Sequence, residues 1–268
     1  MLRIGASSWT APGWQKVFYP PKCASRDQIT FYSTQFDTVE IDATFYAIPA
    51  ASTVTAWRNR TPERFMFAAK VPQIITHEKL LQNCESELDQ FCQTMSLLEG
   101  RLGPILFQFR YFRKGEMECD EFVTKLEPVI NRVPHEIKVA VEVRNKSFLE
   151  PSLIEALKRR GAALTLIDHP YMPTASWYAA NLDRLITSDF CYIRFLGDRL
   201  KTEEIIAKQL GDVTFERSVI DRTHELTAWQ KVVEKLLERK ISVYAYFNNH
   251  YSGYAPNDMT RFRQMLLD

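Results

Sequence analysis

The stretch Lys138-Val139-Ala140-Val141-Glu142-Val143-Arg144 sets Val139, Val141 and Val143 on one face of an extended segment and Ala140, Glu142 and Arg144 on the other, because strand side chains alternate with a period of two. Three β-branched residues thus meet an apolar layer on one side. A small residue followed by two charges occupies the other, the pattern of a parallel strand whose inner face opens into a site at its C-terminal end. The pattern recurs. In Thr38-Val39-Glu40-Ile41-Asp42, Val39 and Ile41 point one way and Glu40 and Asp42 the other, and Phe65-Met66-Phe67-Ala68-Ala69-Lys70 also ends on a charge.

Working outward, the remaining strands are Leu2 to Ala6, Ile105 to Phe109, Ala163 to Asp168, Phe190 to Phe195 and Ile241 to Phe247. Helical periodicity falls between them. It predicts helices over Gln28 to Thr34, Thr53 to Arg60, Cys84 to Glu99 with a glycine cap at Gly100, and Cys119 to Asn131 with a break at Pro128. Further helices are expected over Leu153 to Arg160 up to Gly161, Thr227 to Lys240 and Asn257 to Leu267, with an aromatic, proline-rich loop from Ser7 to Pro21. Alternating β and α units imply a parallel sheet, and eight strands in 268 residues imply an α/β single domain, a TIM-type (β/α)8-like barrel spanning 1–268. An open doubly wound sheet is disfavoured, because no GxGxxG or GxxxxGK[ST] follows the first strand. Residues 198–225 exceed one connection and are expected to insert over the rim.

Composition excludes several classes. Hydrophobic residues at 46% and charged residues at 25% match a globular chain. A net charge of +1 argues against a surface built wholly for nucleic acid or membrane, leaving room for a local basic patch. The 5 cysteines are odd in number and form no CxxC pair, which fits reduced thiols and a cytoplasmic location, with Cys84 and Cys92 as small core residues. No signal-peptide pattern opens the sequence, and no run of about 18 apolar residues would cross a membrane.

The strand ends gather polar residues: Ser7 and Ser8, Glu40 and Asp42, Lys70, Gln108, Glu142 and Arg144, Asp168, Arg194, and Asn248-Asn249-His250. The C-terminal rim of a barrel is where sites are assembled. Lys70, Arg144 and Arg194 aimed at one mouth favour an anionic ligand, with Glu40 or Glu142 as general acid or base. Lys70 is alternatively a Schiff-base lysine in a desolvated pocket, or the ion-pair partner of Glu40 or Glu142, and Glu142 with Arg144 can equally be a structural salt bridge. His77, His169 and His250 with Glu40, Glu142 and Asp168 are the residues a divalent ion would use, but no HxxxH or HxxE spacing occurs and no metal is expected. Trp9, Trp14, Tyr19, Phe45, Tyr46, Tyr246, Tyr251 and Tyr254 fall in or beside rim loops, where they would stack on a sugar or base or simply pack on one another.

These residues carry a family resemblance. Ile4-Gly5-Ala6-Ser7-Ser8-Trp9, Trp14 with Phe18-Tyr19-Pro20, Thr38 to Tyr46, Phe67-Ala68-Ala69-Lys70-Val71-Pro72 with Thr76-His77, Leu102 to Phe109, Val141-Glu142-Val143-Arg144, Tyr192-Ile193-Arg194-Phe195 and Tyr244 to His250 together resemble the domain of unknown function 72, or YecE-like, family. The resemblance implies a TIM-type barrel. Phosphodiester or nucleic-acid chemistry has been suggested for the family from barrel relatives such as endonuclease IV, which is fold analogy. This chain departs from the family pattern in having Asp42 for Asn, Arg144-Asn145 and Ser147-Phe148 for Arg-His and Ser-Trp, Leu196-Gly197 for His-Gly, and Arg110 for Pro. Two rim histidines are thereby lost.

The expected function is that of an enzyme holding a small anionic ligand, a sugar phosphate or nucleotide, on Arg144, Arg194 and Lys70, with Glu142 or Glu40 moving a proton. Ser7, Trp9, Tyr46, Gln108, Asn248, Asn249 and His250 complete the expected ligand contacts. The alternatives are a nucleic-acid binder or phosphodiesterase using rim aromatics with Arg110, Arg113 and Lys114, and a non-catalytic binding barrel. Neither a cofactor nor an oligomeric state follows from the sequence.

Overall fold

The computed structural model describes residues 1–267, in which eight parallel strands run β1 Leu2–Ala6, β2 Thr38–Ile41, β3 Met66–Lys70, β4 Leu102–Gln108, β5 Val139–Glu142, β6 Ala163–Asp168, β7 Phe190–Phe195 and β8 Ser242–Phe247. They are ordered β1-β8-β7-β6-β5-β4-β3-β2, and β1 and β2 lie side by side to close the ring. Ten helices alternate with them: α1 Trp14–Val17, α2 Gln28–Gln35, α3 Ala51–Asn59, α4 Glu85–Ser96, α5 Cys119–Arg132, α6 Pro151–Arg160, α7 Ala175–Leu185, α8 Arg199–Leu210, α9 Thr223–Glu238 and α10 Ala255–Met265. The expected (β/α)8 barrel is therefore the fold.

Alternation sorts the two cores. Val139, Val141 and Val143 join the outer core between sheet and helices, while Ala140 joins Ala68, Leu106, Ala163, Phe190, Tyr192, Tyr244 and Tyr246 inside the barrel. Alanines on β3, β5 and β6 make room for the rings on β7 and β8, and the Tyr192 and Tyr246 rings stand 4.9 Å apart. Small facing large lets the interior fill without a pore.

The seam between β1 and β2 carries no strand ladder among the described residues. Tyr32 of α2 fills it: its hydroxyl accepts from the Ala6 amide at 2.8 Å and donates to the Thr38 carbonyl at 3.2 Å. Gly5 is required beside it, since a Cβ there would lie 2.1 Å from the Thr38 carbonyl oxygen. Replacing Tyr32 with Phe strands a buried amide, so a loss of about 1–3 kcal/mol is expected in denaturant unfolding; an unchanged midpoint would show that the seam closes without it.

Several local readings are corrected. Pro128 does not break α5, which runs through it to Arg132. The proline is exposed on the solvent side, where helix hydrogen bonds are already long, and burial of Phe122, Leu126 and Ile130 holds the opposite face. Helix α4 ends at Ser96, and the left-handed residue beyond it is Glu99, φ 52°, with its carboxylate on Arg58, so Gly100 is not the cap. Helix α9 begins at Thr223, four residues before the expected Thr227. The loop after β1 contains α1, and the connection from β6 to β7 contains a further helix, α7. Residues 199–222 hold α8 and a stretch bonded to the β1 and β8 loops through Phe215 N to Pro12 O at 2.8 Å, Val219 N to Ser252 O at 2.7 Å and Thr202 Oγ1 to His250 O at 2.7 Å.

Candidate functional site

Inward-facing charges meet at the C-terminal half of the barrel. Arg194 of β7 donates from Nη2 to Glu40 Oε1 and from Nη1 to Glu142 Oε2, both at 2.7 Å. Glu40 also accepts from the Tyr192 hydroxyl at 2.6 Å, and Glu142 from Arg144 Nε at 3.0 Å. All of Glu40, Glu142 and Arg194 are buried, with Arg194 only 3% exposed. Two carboxylates balance two guanidinium groups, so the cluster is neutral as a unit.

The two carboxylates differ. Burial raises both, but Glu142 faces Arg194 and Arg144 together and is held down to about 2. Glu40 has burial and the nearby Asp42 charge against Arg194, the Tyr192 hydroxyl and Lys70, and ends above its usual range. When this pair takes up a proton, Glu40 receives it. Lys70 is also buried, which lowers it against the pull of Asp42. Its Nζ lies 3.1 Å from Asp42 Oδ1 and 3.7 Å from the centre of the Phe45 ring. The ion-pair partner of Lys70 is thus Asp42, where Glu40 or Glu142 was expected: the period of two turns Glu40 inward, but Arg194 has already taken it.

Beyond this cluster a cleft of about 830 Å³ opens over the ends of β4, β5 and β6. Its walls carry Arg110, Arg144, Lys146, His77 and His169, the tyrosines Tyr111 and Tyr171, and Gln108, Asn145 and Ser147, with no carboxylate among the lining residues. Arg110 is forked onto Glu116 and Asn145 is bonded to the Phe112 backbone, so both are committed. Arg144 is not. It gives only Nε to Glu142, and among the described residues no acceptor bonds its Nη1 or Nη2.

His77 Nδ1 stands 2.9 Å from Thr76 Oγ1, and His169 Nδ1 accepts from the Tyr171 amide at 3.3 Å, which leaves each Nε2 available. Partial burial, then Lys70, Arg110 and Arg144, push His77 down to about 4. Burial and Arg144 push His169 the same way. Both imidazoles are neutral at pH 7.

Of the residues expected in the site, Gln108 and Arg144 line the cleft, and Glu142 stands beneath Arg144. Glu40, Arg194 and Lys70 form the buried charge layer below. Ser7 is buried with an unpartnered Oγ, Trp9 packs edge-on against Trp57 at 5.3 Å, and Tyr46 is 69% exposed beside Phe45, none of them on the cleft wall. Asn248 Oδ1 accepts from the His250 amide at 3.0 Å, Asn249 Oδ1 from Trp14 Nε1 at 3.2 Å, and His250 Nε2 meets Glu203 at 2.9 Å. These three fix the β8 loop. Trp14, Tyr19, Tyr246 and Tyr251 are buried packing residues rather than stacking platforms. Tyr111, Asn145, Lys146, Ser147 and Tyr171 were missed because they lie past the strand ends, where the period of two no longer says which way a side chain points. Among the described residues no group of three or more His, Cys, Asp or Glu side chains is arranged to hold a metal ion, and no helix is long and apolar enough to cross a membrane.

A closed parallel barrel with its charged residues at the carboxyl ends of the strands places the chain among TIM-type barrels whose sites stand on the C-terminal rim. The family described as "Protein of unknown function DUF72" matches residues 3–268, and the chain belongs to it. It is 27% identical over 279 residues to the UPF0759 protein YunF of Bacillus subtilis, covering 99% of this chain and 95% of that one. It is 28% identical over 174 residues to the UPF0759 protein YecE of Escherichia coli K12, covering 63% and 59%. The crystal structure of a DUF72 family protein from Thermotoga maritima superposes with a TM-score of 0.77 at 24% identity over 100% of both chains, a likeness of fold.

Proposed function

We propose that the cleft binds a small ligand bearing phosphate or carboxylate, with the free end of the Arg144 guanidinium as its anchor and a neutral histidine as the group that exchanges a proton with it. The observation that carries this reading is a wall with Arg144, Lys146 and the Glu116-paired Arg110 and no carboxylate among its lining residues, in which Arg144 keeps two nitrogens without a partner among the described residues. A planar fork of donors suits a carboxylate or phosphate edge. Lys146, exposed and unpaired among the described residues, adds charge at the mouth.

The proton is assigned differently from the expectation drawn from sequence. Glu142, clamped by two arginines, is too weak a base, and Glu40 lies beneath it with both oxygens engaged. His77 Nε2 is neutral, on the cleft wall and close enough to the cationic groups to feel them. The charge of a bound anion offsets the cations that hold His77 down and raises it toward neutral pH, where general acid–base work contributes about 10²–10⁴-fold.

Thermal unfolding against phosphate, sulfate and small carboxylic acids tests the binding. A ligand at about 100 times its Kd stabilises by about 2.7 kcal/mol, or roughly 5 °C for a chain of this size; no shift with any of these anions would sink the reading. Imidazole NMR tests the histidine. In the unliganded protein the His77 signals are expected to hold their neutral position as pH falls through about 6.5, moving only near about 4. A midpoint at the free-histidine value would show that burial, Lys70, Arg110 and Arg144 do not act on this ring, against its placement on the cationic wall. The same depression means that folding loses stability as pH falls through that window, since the unfolded chain takes up the proton first.

A further inference from the structure

The ligand's body, as distinct from its charge, has its own signature in the cleft. At about 830 Å³ the cleft is far larger than a bare phosphate fills and lies within the range of about 300–1,000 Å³ typical of sites for ligand-sized molecules. Two of its lining residues are tyrosines left in the open: Tyr111 is 57% and Tyr171 74% exposed. Most large aromatic residues in this chain are buried among others, as Trp14, Trp229, Tyr178 and Tyr251 are. Tyr111 has no aromatic neighbour among the described residues, and Tyr171 has only the tilted His169 ring, 5.5 Å away. Neither phenol is hydrogen-bonded among the described residues. Strand order puts them on opposite flanks of the anchor, since Tyr111 follows β4, Tyr171 follows β6, and Arg144 follows β5 between them.

Resting on the anion reading above, we infer that the cleft takes a mononucleotide-sized ligand, with its phosphate on Arg144 and its planar base stacked on Tyr111 or Tyr171. Tyrosine offers a flat apolar face with little rotamer freedom to lose, and stacking tolerates any base because each has a π face. A long polyanion fits less well. The net charge is +1, and Arg110, the cation nearest Tyr111 in sequence, is neutralised by Glu116.

Isothermal titration of the full chain with inorganic phosphate, ribose 5-phosphate, AMP and a short single-stranded oligonucleotide distinguishes the possibilities. AMP is expected to bind about tenfold or more tighter than ribose 5-phosphate, the increment that stacking of one base supplies. Tyr111→Leu and Tyr171→Leu, both at exposed positions, are compared with the wild type. At least one should bring AMP down to the ribose 5-phosphate affinity and leave ribose 5-phosphate itself unchanged. Equal affinities for AMP and ribose 5-phosphate, or a preference that survives both substitutions, would overturn the stacking inference while leaving the anion site standing. Failure of phosphate and both phosphorylated probes to bind would overturn the anion reading itself. An oligonucleotide that binds more tightly than AMP, with a steep salt dependence, would overturn the mononucleotide in favour of a strand.

Discussion

Arg194→Ala is expected to lower stability by about 3–5 kcal/mol, or roughly 6 °C or more in Tm, because it leaves two buried carboxylates facing each other without their shared cation. Glu40 and Glu142 are both fully buried, and each has one oxygen on Arg194 at 2.7 Å. The loss should depend on pH in a stated direction. Without Arg194 the folded carboxyls hold protons more tightly than the unfolded ones do. Their penalty is therefore small in acid and grows as pH rises through the raised folded value, so the gap between variant and wild type should narrow toward pH of about 5. Thermal unfolding of both proteins across that range checks this, and a deficit independent of pH would mean that the carboxylates are not the cause. Arg194→Lys should recover little, since a point charge cannot bridge two carboxylates as a planar fork does.

The second large effect is on binding. Arg144→Ala should weaken anion affinity by about 100-fold, equivalent to about 3 kcal/mol, the worth of one or two charge-assisted hydrogen bonds to a partly desolvated ligand. The fold should survive it. Glu142 keeps its bond to Arg194 when the Arg144 Nε donor at 3.0 Å is removed, and Arg144 itself is partly exposed. Titration of phosphate against both proteins measures the difference. Parallel loss of Tm and affinity would instead assign Arg144 a structural role beside Glu142.

Much of this architecture can be read from residue patterns. The eight strands obey a period of two, so Val139 and Val141 outward against Ala140 and Glu142 inward is legible before any coordinates exist. The charged layer is half legible in the same way. Glu40, Glu142 and Arg194 can each be assigned inward, but that Arg194 bridges both carboxylates depends on strand register and barrel shear, which a linear pattern does not encode. Lys70 illustrates the limit: it points inward as expected, yet pairs with Asp42 across the β2 and β3 ends rather than with either glutamate. The cleft is least legible. Its walls come from the segments after β4, β5 and β6, and without periodicity Tyr171 on the wall and Tyr46 off it look alike in sequence. Pro128 fails in the opposite sense, because tertiary packing of α5 overrides a strong local signal.

The most direct test of the anion site is a crystal structure of the protein grown in phosphate. A tetrahedral anion within about 3 Å of Arg144 Nη1 or Nη2, in the cleft beside His77 and His169, is the predicted result. An empty cleft at phosphate concentrations that shift Tm, with the anion bound elsewhere on the surface, would contradict it.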